Sequence, residues 1–198
     1  MHFSKIRKFE EKNVIDIIQA FTYIASALPH LKLLIAGPFD DIGIPYLGLS
    51  RRPLTMEHEF YRCIEQLPLS IQERIHYCGN LKQDKLCELY HASDIYISLS
   101  THNDEDFGMA PAEALAYGLP VILTNWGGFQ DFKGNIPSVI HLLNVEVQEH
   151  RIKPDKTFFK NILKIILTNE FTNKDRLKLS LVSHSIYDTK KIAAKYVQ

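Results

Sequence analysis

Apolar residues recur along this chain in two rhythms. Short, mainly apolar runs appear in LKLLIA (31–36), IHYC (75–78), DIYISLS (94–100) and VIL (121–123), and such runs read as strands. Between them, apolar positions fall three and four apart. Val14, Ile17, Ile18, Phe21, Ile24, Ala25 and Leu28 share one helical face, with Asn13 in the position of an N-cap and Pro29 as the stop. Further helices are expected over 55–67, with Thr55 as cap, and over 82–91, with Leu86, Leu89 and Tyr90 inward. PLSIQE predicts a short helical turn, and Asp155 caps an apolar helix to about residue 168. A last helical region covers 173–197, broken near 183–185, where Ser185 and Asp188 resemble a capping box. A weak first strand over 2–6 and a sixth over 137–143 complete the set. TNWGG (124–128) reads as a turn.

Six strands alternating with helices predict an α/β fold, a doubly wound parallel six-stranded sheet of Rossmann-like type, with 1–198 as a single domain. In the usual order, 3-2-1-4-5-6, the first and fourth strands lie side by side at the topological switch point. The loop after the first carries Lys5, Arg7 and Lys12; the loop after the fourth carries Glu105 and the Phe107-Gly108 turn. Both open on one crevice at the carboxyl ends of the strands.

The chain is organised around EDFGMAPAEALAYGLPVIL (105–123), which reads as loop, short helix and strand. Pro111 suits the first turn of that helix, Gly118 supplies a left-handed ending, and Pro120 prevents a restart. A helix N-terminus after a strand presents free backbone N–H groups to an anion. Two carboxylates, Glu105 and Glu113, flank the same point. Basic groups and a helix N-terminus suit a diphosphate, whereas carboxylates suit hydroxyls. A diphosphate between two hydroxylated rings is a nucleotide sugar. Taken alone, two glutamates eight apart carry little weight, and an acidic residue in a first helical turn is what the helix dipole favours without any ligand. The charged loop RKFEEKN (7–13) also has a simpler reading as a solvated turn.

Composition narrows the field. Hydrophobic residues make up 45% of the chain and charged residues 23%, as in an ordinary globular protein. Lys plus Arg and Asp plus Glu are both 23, so no global basic field points to nucleic acid. Cys63, Cys78 and Cys87 form no C-x-x-C pair and read as free thiols of a cytoplasmic protein. The nine histidines show no ligand spacing, so no metal site is expected. No apolar run reaches the roughly 18 residues of a membrane span. The basic end, with Lys190, Lys191 and Lys195, reads as a solvated helix face, peripheral membrane docking being the minor alternative.

With these residues in view, the chain resembles the donor-binding half of the retaining GT-B glycosyltransferases, in particular glycosyltransferase family 4. The resemblance rests on E-x7-E at Glu105 and Glu113 within EDFGMAPAE, followed by ALAYGLPVIL and TNWGG. KLLIAGP, IHYCGNL, ASDIYISLS, R-x4-K-N at 7–13 and the closing SIYDTKKIAAKYV add to it. It implies a nucleotide-sugar donor (UDP- or GDP-sugar), retaining transfer of a hexose to a glycan or lipid-linked acceptor, and no cofactor or metal. It also implies a role for each matching residue. Glu113 would meet the ribose hydroxyls, and Glu105 the sugar hydroxyls. Backbone N–H groups of Phe107, Gly108, Met109 and Ala110 would serve sugar or phosphate. Arg7 and Lys12 would neutralise the leaving diphosphate, with Lys5 a rival for that task. Leu81 would lie where the backbone meets the base. His102 reads either as a donor to the sugar or as a surface loop residue. The acceptor-binding N-terminal domain of such enzymes is absent from these residues, so the chain reads as part of something longer and as inactive alone. The segment from about 134 to 155 departs from the family pattern, and Ile6 stands where a glycine is usual. Two alternatives are a non-catalytic nucleotide-sugar-binding module and a GT-B epimerase.

Overall fold

The computed structural model describes residues 2–3, 12–39, 55–102, 108–134, 136, 138–148, 151–155, 157–168, 171–188 and 190. Lys5, Arg7, Glu105 and Phe107 lie outside the described residues, as do Lys191, Lys195 and most of the 38–53 loop. In chain order the elements are β1 (His2–Phe3), α1 (Val14–Ala25), β2 (Leu33–Ile35), α2 (Thr55–Glu65), α3 (Leu69–Gln72), β3 (Ile75–Tyr77), α4 (Gln83–His91) and β4 (Tyr96–Ser98). There follow α5 (Met109–Ala116), β5 (Val121–Thr124), a 3₁₀ helix (Gly127–Gly134), β6 (Ile140–Leu143), β7 (Val145–Gln148), β8 (Arg151–Pro154), α6 (Phe158–Thr168) and α7 (Asn173–Ile186).

The main sheet has the expected order, β3-β2-β1-β4-β5-β6, with every neighbouring pair parallel. The central strands β4 and β5 are buried at every position, because helices cover both faces. One core gathers Val14, Ile17 and Phe21 of α1 with Phe60 of α2 and Phe158 and Ile162 of α6. The other joins Leu86 and Tyr90 of α4, Leu115 of α5, Phe129 and Phe132 of the 3₁₀ helix and Leu179 of α7. No helix among the described residues is long and apolar enough to cross a membrane.

Several local expectations are corrected. Thr55 is the first residue of α2 rather than its cap. Asn13 precedes α1 but makes no side-chain cap; its backbone is left-handed (φ 49°, ψ 43°). The 3₁₀ helix begins within TNWGG, at Gly127, and places Phe129 and Phe132, three apart, on the same buried side, as that helix's period requires. Beyond β6 the chain makes an antiparallel hairpin, β7–β8, that had not been expected. Asp155 Oδ1 accepts from the Thr157 N–H (2.8 Å) one turn before α6 begins. The capping box lies at the head of α7, between Thr172 and Asp175, rather than at Ser185 and Asp188.

The stop at Gly118 is as expected, and it has a second cause. Gly118 N–H donates to the Leu115 carbonyl (2.9 Å) and Leu119 N–H to the Ala114 carbonyl (2.9 Å), the paired bonds of a Schellman ending. At φ 75°, a side chain at 118 would be strained by its backbone alone. A Cβ there would also fall against the Arg176 carbonyl oxygen and 2.6 Å from Arg176 Cγ. Arg176 in turn donates to the carbonyls of Tyr117 (3.1 Å), Ser93 (2.9 Å) and Tyr90 (2.8 Å), so α7 ties together the ends of α4 and α5.

Candidate functional site

The crevice forms where the carboxyl ends of the strands meet the head of α5. Gly108 precedes that helix in a left-handed conformation (φ 74°), and a Cβ on it would sit 2.7 Å from Phe129 Cε1. The buried Phe129 and Phe132 thus press directly under the helix head, and only glycine fits between them. Pro111 is the third helix residue and carries no N–H, while Ala112 N–H closes the first turn on the Gly108 carbonyl (3.3 Å). The Met109 and Ala110 N–H groups are therefore the ones at the mouth of the helix, and Met109 is 65% exposed there.

Glu113 lies in the second turn of α5, and no acidic residue stands in the first. The helix dipole falls off within that first turn, so it does not account for this carboxylate. Glu113 lines a cleft with Ala36 and Gly37 after β2, Asn80 and Leu81 after β3, Leu86 and Tyr90 of α4, and Ala110. The wall opposite Glu113 is stitched: Gly37 N–H donates to the Gly79 carbonyl (2.8 Å), and the Tyr77 hydroxyl to the Gly37 carbonyl (2.7 Å). Glu113 itself accepts from the Tyr90 hydroxyl at Oε2 (3.1 Å), and that hydroxyl is also 3.4 Å from the Ala110 carbonyl. Burial, reinforced by Tyr96 and Glu113, pushes the Tyr90 phenol far above the usual range, so it stays protonated and remains a donor.

The two loops expected to share the crevice are joined by one side chain. Asn13, 3% exposed, donates from Nδ2 to the Leu99 carbonyl (2.7 Å) and to Thr101 Oγ1 (3.1 Å), at the carboxyl end of β4. The Thr124 hydroxyl donates to the Ser100 carbonyl from β5, fixing that end on its other side. Lys12 immediately precedes Asn13 and is half-buried, and His102 follows Thr101, half-buried, with its N–H donating to Ser100 Oγ (3.4 Å). Of the residues expected at the site, Leu81, Ala110 and Glu113 line the cleft; Gly108 and Met109 stand at the head of α5, and Lys12 and His102 adjoin the residues of the Asn13–Thr101 bond. Among the described residues, no group of three or more His, Cys, Asp or Glu side chains stands close enough to hold a metal ion. A larger cavity, about 310 Å³, opens at the other end of the sheet, lined by Leu31, Asp94, Ile95, Gly118 and Arg176. Leu31, Asp94 and Gly118 precede β2, β4 and β5, so it sits at the amino ends, away from the switch point.

Two residues of this arrangement carry more than their sequence context suggests. Tyr90 is legible as an inward residue of α4 but not as the partner of Glu113. Asn13 reads from the sequence as a cap, but its side chain bonds instead to partners 86 and 88 residues away.

Comparison with known proteins agrees with this fold. Residues 3–135, more than half of the chain, match the family model described as Glycosyl transferases group 1. A 131-residue stretch is 32% identical to N-acetyl-alpha-D-glucosaminyl L-malate synthase of Bacillus anthracis, covering 66% of this chain and 28% of that enzyme. The chain thus spans less than a third of that relative. The fold is that of the pneumococcal O-GlcNAc transferase GtfA, solved with UDP and GlcNAc (TM-score 0.65, 19% identity, 98% of this chain and 33% of that one). It is equally that of the C-terminal domain of a glycosyl transferase group 1 family protein (LpcC) from Francisella tularensis (TM-score 0.62, 19% identity), where the coverage is 96% and 84%.

Proposed function

The chain belongs to the group 1 glycosyl transferases, with a Rossmann-like half of the GT-B fold, and from that membership we propose that it seats a nucleotide-diphosphate hexose for retaining transfer. In this reading the nucleoside occupies the cleft between Gly37 with Leu81 and Glu113, the Glu113 carboxylate accepting from the ribose hydroxyls. The backbone at Leu81 meets the base. The diphosphate lies toward the head of α5, where the N–H groups of Met109 and Ala110 face outward, with Lys12, Arg7 and Lys5 as its cationic partners. Glu105, Phe107 and His102 attend the sugar.

During transfer the bond from the anomeric carbon to the diphosphate breaks, one to an acceptor hydroxyl oxygen forms, and that hydroxyl's proton leaves with the departing diphosphate. Negative charge grows on the departing phosphate, and fixed N–H dipoles with lysine and arginine side chains stabilise it without a metal ion. The acceptor-binding part belongs outside these residues, as the short coverage of the relative suggests. The chain alone is then a binder that transfers little or nothing, and in the longer protein it works in the cytoplasm, with peripheral membrane contact where the acceptor is lipid-linked.

The observation that carries this reading is the placement of Glu113 in the wall of a cleft at the carboxyl end of the sheet, beyond the reach of the helix dipole. Calorimetric titration of UDP-, GDP- and ADP-sugars into wild type and Glu113→Gln tests it. One sugar nucleotide should bind wild type, and the glutamine variant should bind it about tenfold more weakly, the scale of a charged hydrogen bond. Absence of any binding, or equal affinity in both proteins, would refute it.

A further inference from the structure

Glu113 has a second wall behind it. Its Oε2 accepts from the Tyr90 hydroxyl (3.1 Å), and among the described residues no other hydrogen bond reaches that carboxylate. Tyr90 comes from a different helix, α4, and is completely buried. Its ring stacks on Tyr117 (5.1 Å between centroids, 14° between planes) and lies 6.5 Å from that of Tyr96. Tyr117 is anchored in turn, its hydroxyl donating to Cys87 Sγ (2.7 Å). That bond, with burial, pushes the Tyr117 phenol up to about 12. Arg176 clamps the carbonyls of both Tyr90 and Tyr117, so the helix ends carrying the two rings do not slide apart. The Tyr90 hydroxyl is therefore a protonated donor held in place, 3.1 Å from Oε2 of the Glu113 carboxylate and farther, at 3.4 Å, from the Ala110 carbonyl.

We propose that Tyr90 is a positioning residue for nucleotide binding: by holding Oε2 of Glu113, it leaves Oε1 presented to the cleft as the acceptor for a ribose hydroxyl. This rests on the donor-binding reading above. A glutamate that must be ordered on binding loses rotamer freedom at that moment, whereas one held beforehand does not. The effect is thus confined to ligands with ribose hydroxyls. Tyr90→Phe keeps the ring, its stacking and the helix, and removes only the donor.

The test measures calorimetric affinity for UDP and GDP, and for their 2′,3′-dideoxy analogues, in the whole chain carrying Tyr90→Phe, Glu113→Ala or both. Tyr90→Phe is expected to weaken the preferred nucleotide about tenfold, the scale of a hydrogen bond to a charged group. Binding of its dideoxy analogue should be unchanged. In the Glu113→Ala background, Tyr90→Phe should cost nothing further, which a merely structural role for the ring would not produce. Wild type that binds with a ribose preference retained by Tyr90→Phe overturns this inference alone. A loss equal for nucleotide and dideoxy analogue, or one that persists without Glu113, also overturns it. Wild type that binds neither UDP nor GDP overturns it together with the donor-binding reading.

Discussion

Replacing Asn13 separates two roles that one residue fills. Its side chain makes two buried hydrogen bonds, to the Leu99 carbonyl (2.7 Å) and Thr101 Oγ1 (3.1 Å), and its backbone is left-handed (φ 49°). Asn13→Gly keeps the backbone conformation accessible and removes both bonds. At about 1 kcal/mol for each bond, it should lower unfolding free energy by about 2 kcal/mol, with up to about 1 more for the added freedom of the unfolded glycine chain. Asn13→Ala loses the same bonds, gains no such unfolded-chain freedom, and instead incurs the left-handed penalty of about 1–2 kcal/mol. The expected ranking is wild type, then glycine, then alanine, with alanine about 3–4 kcal/mol below wild type. Urea denaturation at constant m-value reads the three free energies. Alanine more stable than glycine would refute the left-handed assignment. Both variants within about 0.5 kcal/mol of wild type would refute the energetic role of the bonds, since each bond is expected to contribute about 1 kcal/mol. Because Lys12 adjoins Asn13, nucleotide affinity should fall in both variants under conditions where they remain folded.

Gly118→Ala should lower unfolding free energy by about 2–4 kcal/mol, because strain at a left-handed residue of about 1–2 kcal/mol adds to the displacement of Arg176. A chemical melt within about 0.5 kcal/mol of wild type would refute both the left-handed backbone at 118 and the close approach of Arg176, since such a shift is the size expected of an unconstrained surface position. His141 titrates below its ordinary value of 6.5 because burial disfavours its charged form. The unfolded chain therefore binds the proton more readily. This contribution to stability is complete above pH 6.5 and is lost as pH falls through the lower folded value. His141→Gln should flatten that part of a stability-against-pH curve measured by thermal melts, and an unchanged curve would contradict the assignment.

The two-faced sheet was legible because the runs of β4 and β5 show no alternation and are buried at every position, as in a sheet covered on both faces, whereas the strand order came from the usual arrangement of such folds. The hairpin was not. Val145 and Val147 alternate with Glu146 and Gln148, yet Val147 is 72% exposed, so the alternation marks no buried face. The capping residues were misplaced for a related reason. Ser, Thr, Asn and Asp satisfy backbone groups in several ways, and residue type alone does not choose among them. Thr172 and Asp175 form the box that Ser185 and Asp188 only resemble. The position of Glu113 was legible, but not its freedom from the dipole, which depends on α5 starting at Met109. Its contact with Tyr90 joins α4 and α5 across 23 residues, and nothing in either helix's own pattern announces it.

The strand order also has a kinetic side. β1 opens the chain yet lies at the centre of the sheet, paired with β2 on one edge and β4 on the other. Its register with β4, His2 against Tyr96, and the Asn13 bond to Leu99, 86 residues away, close the longest loops of the sheet. Closures of that length are entropically late events, and folds dominated by them are slow among small domains. The crevice at the switch point is therefore assembled by the longest-range pairing in the sheet. Its two halves meet only after the segments between them, β2 to α4, can already form their own contacts.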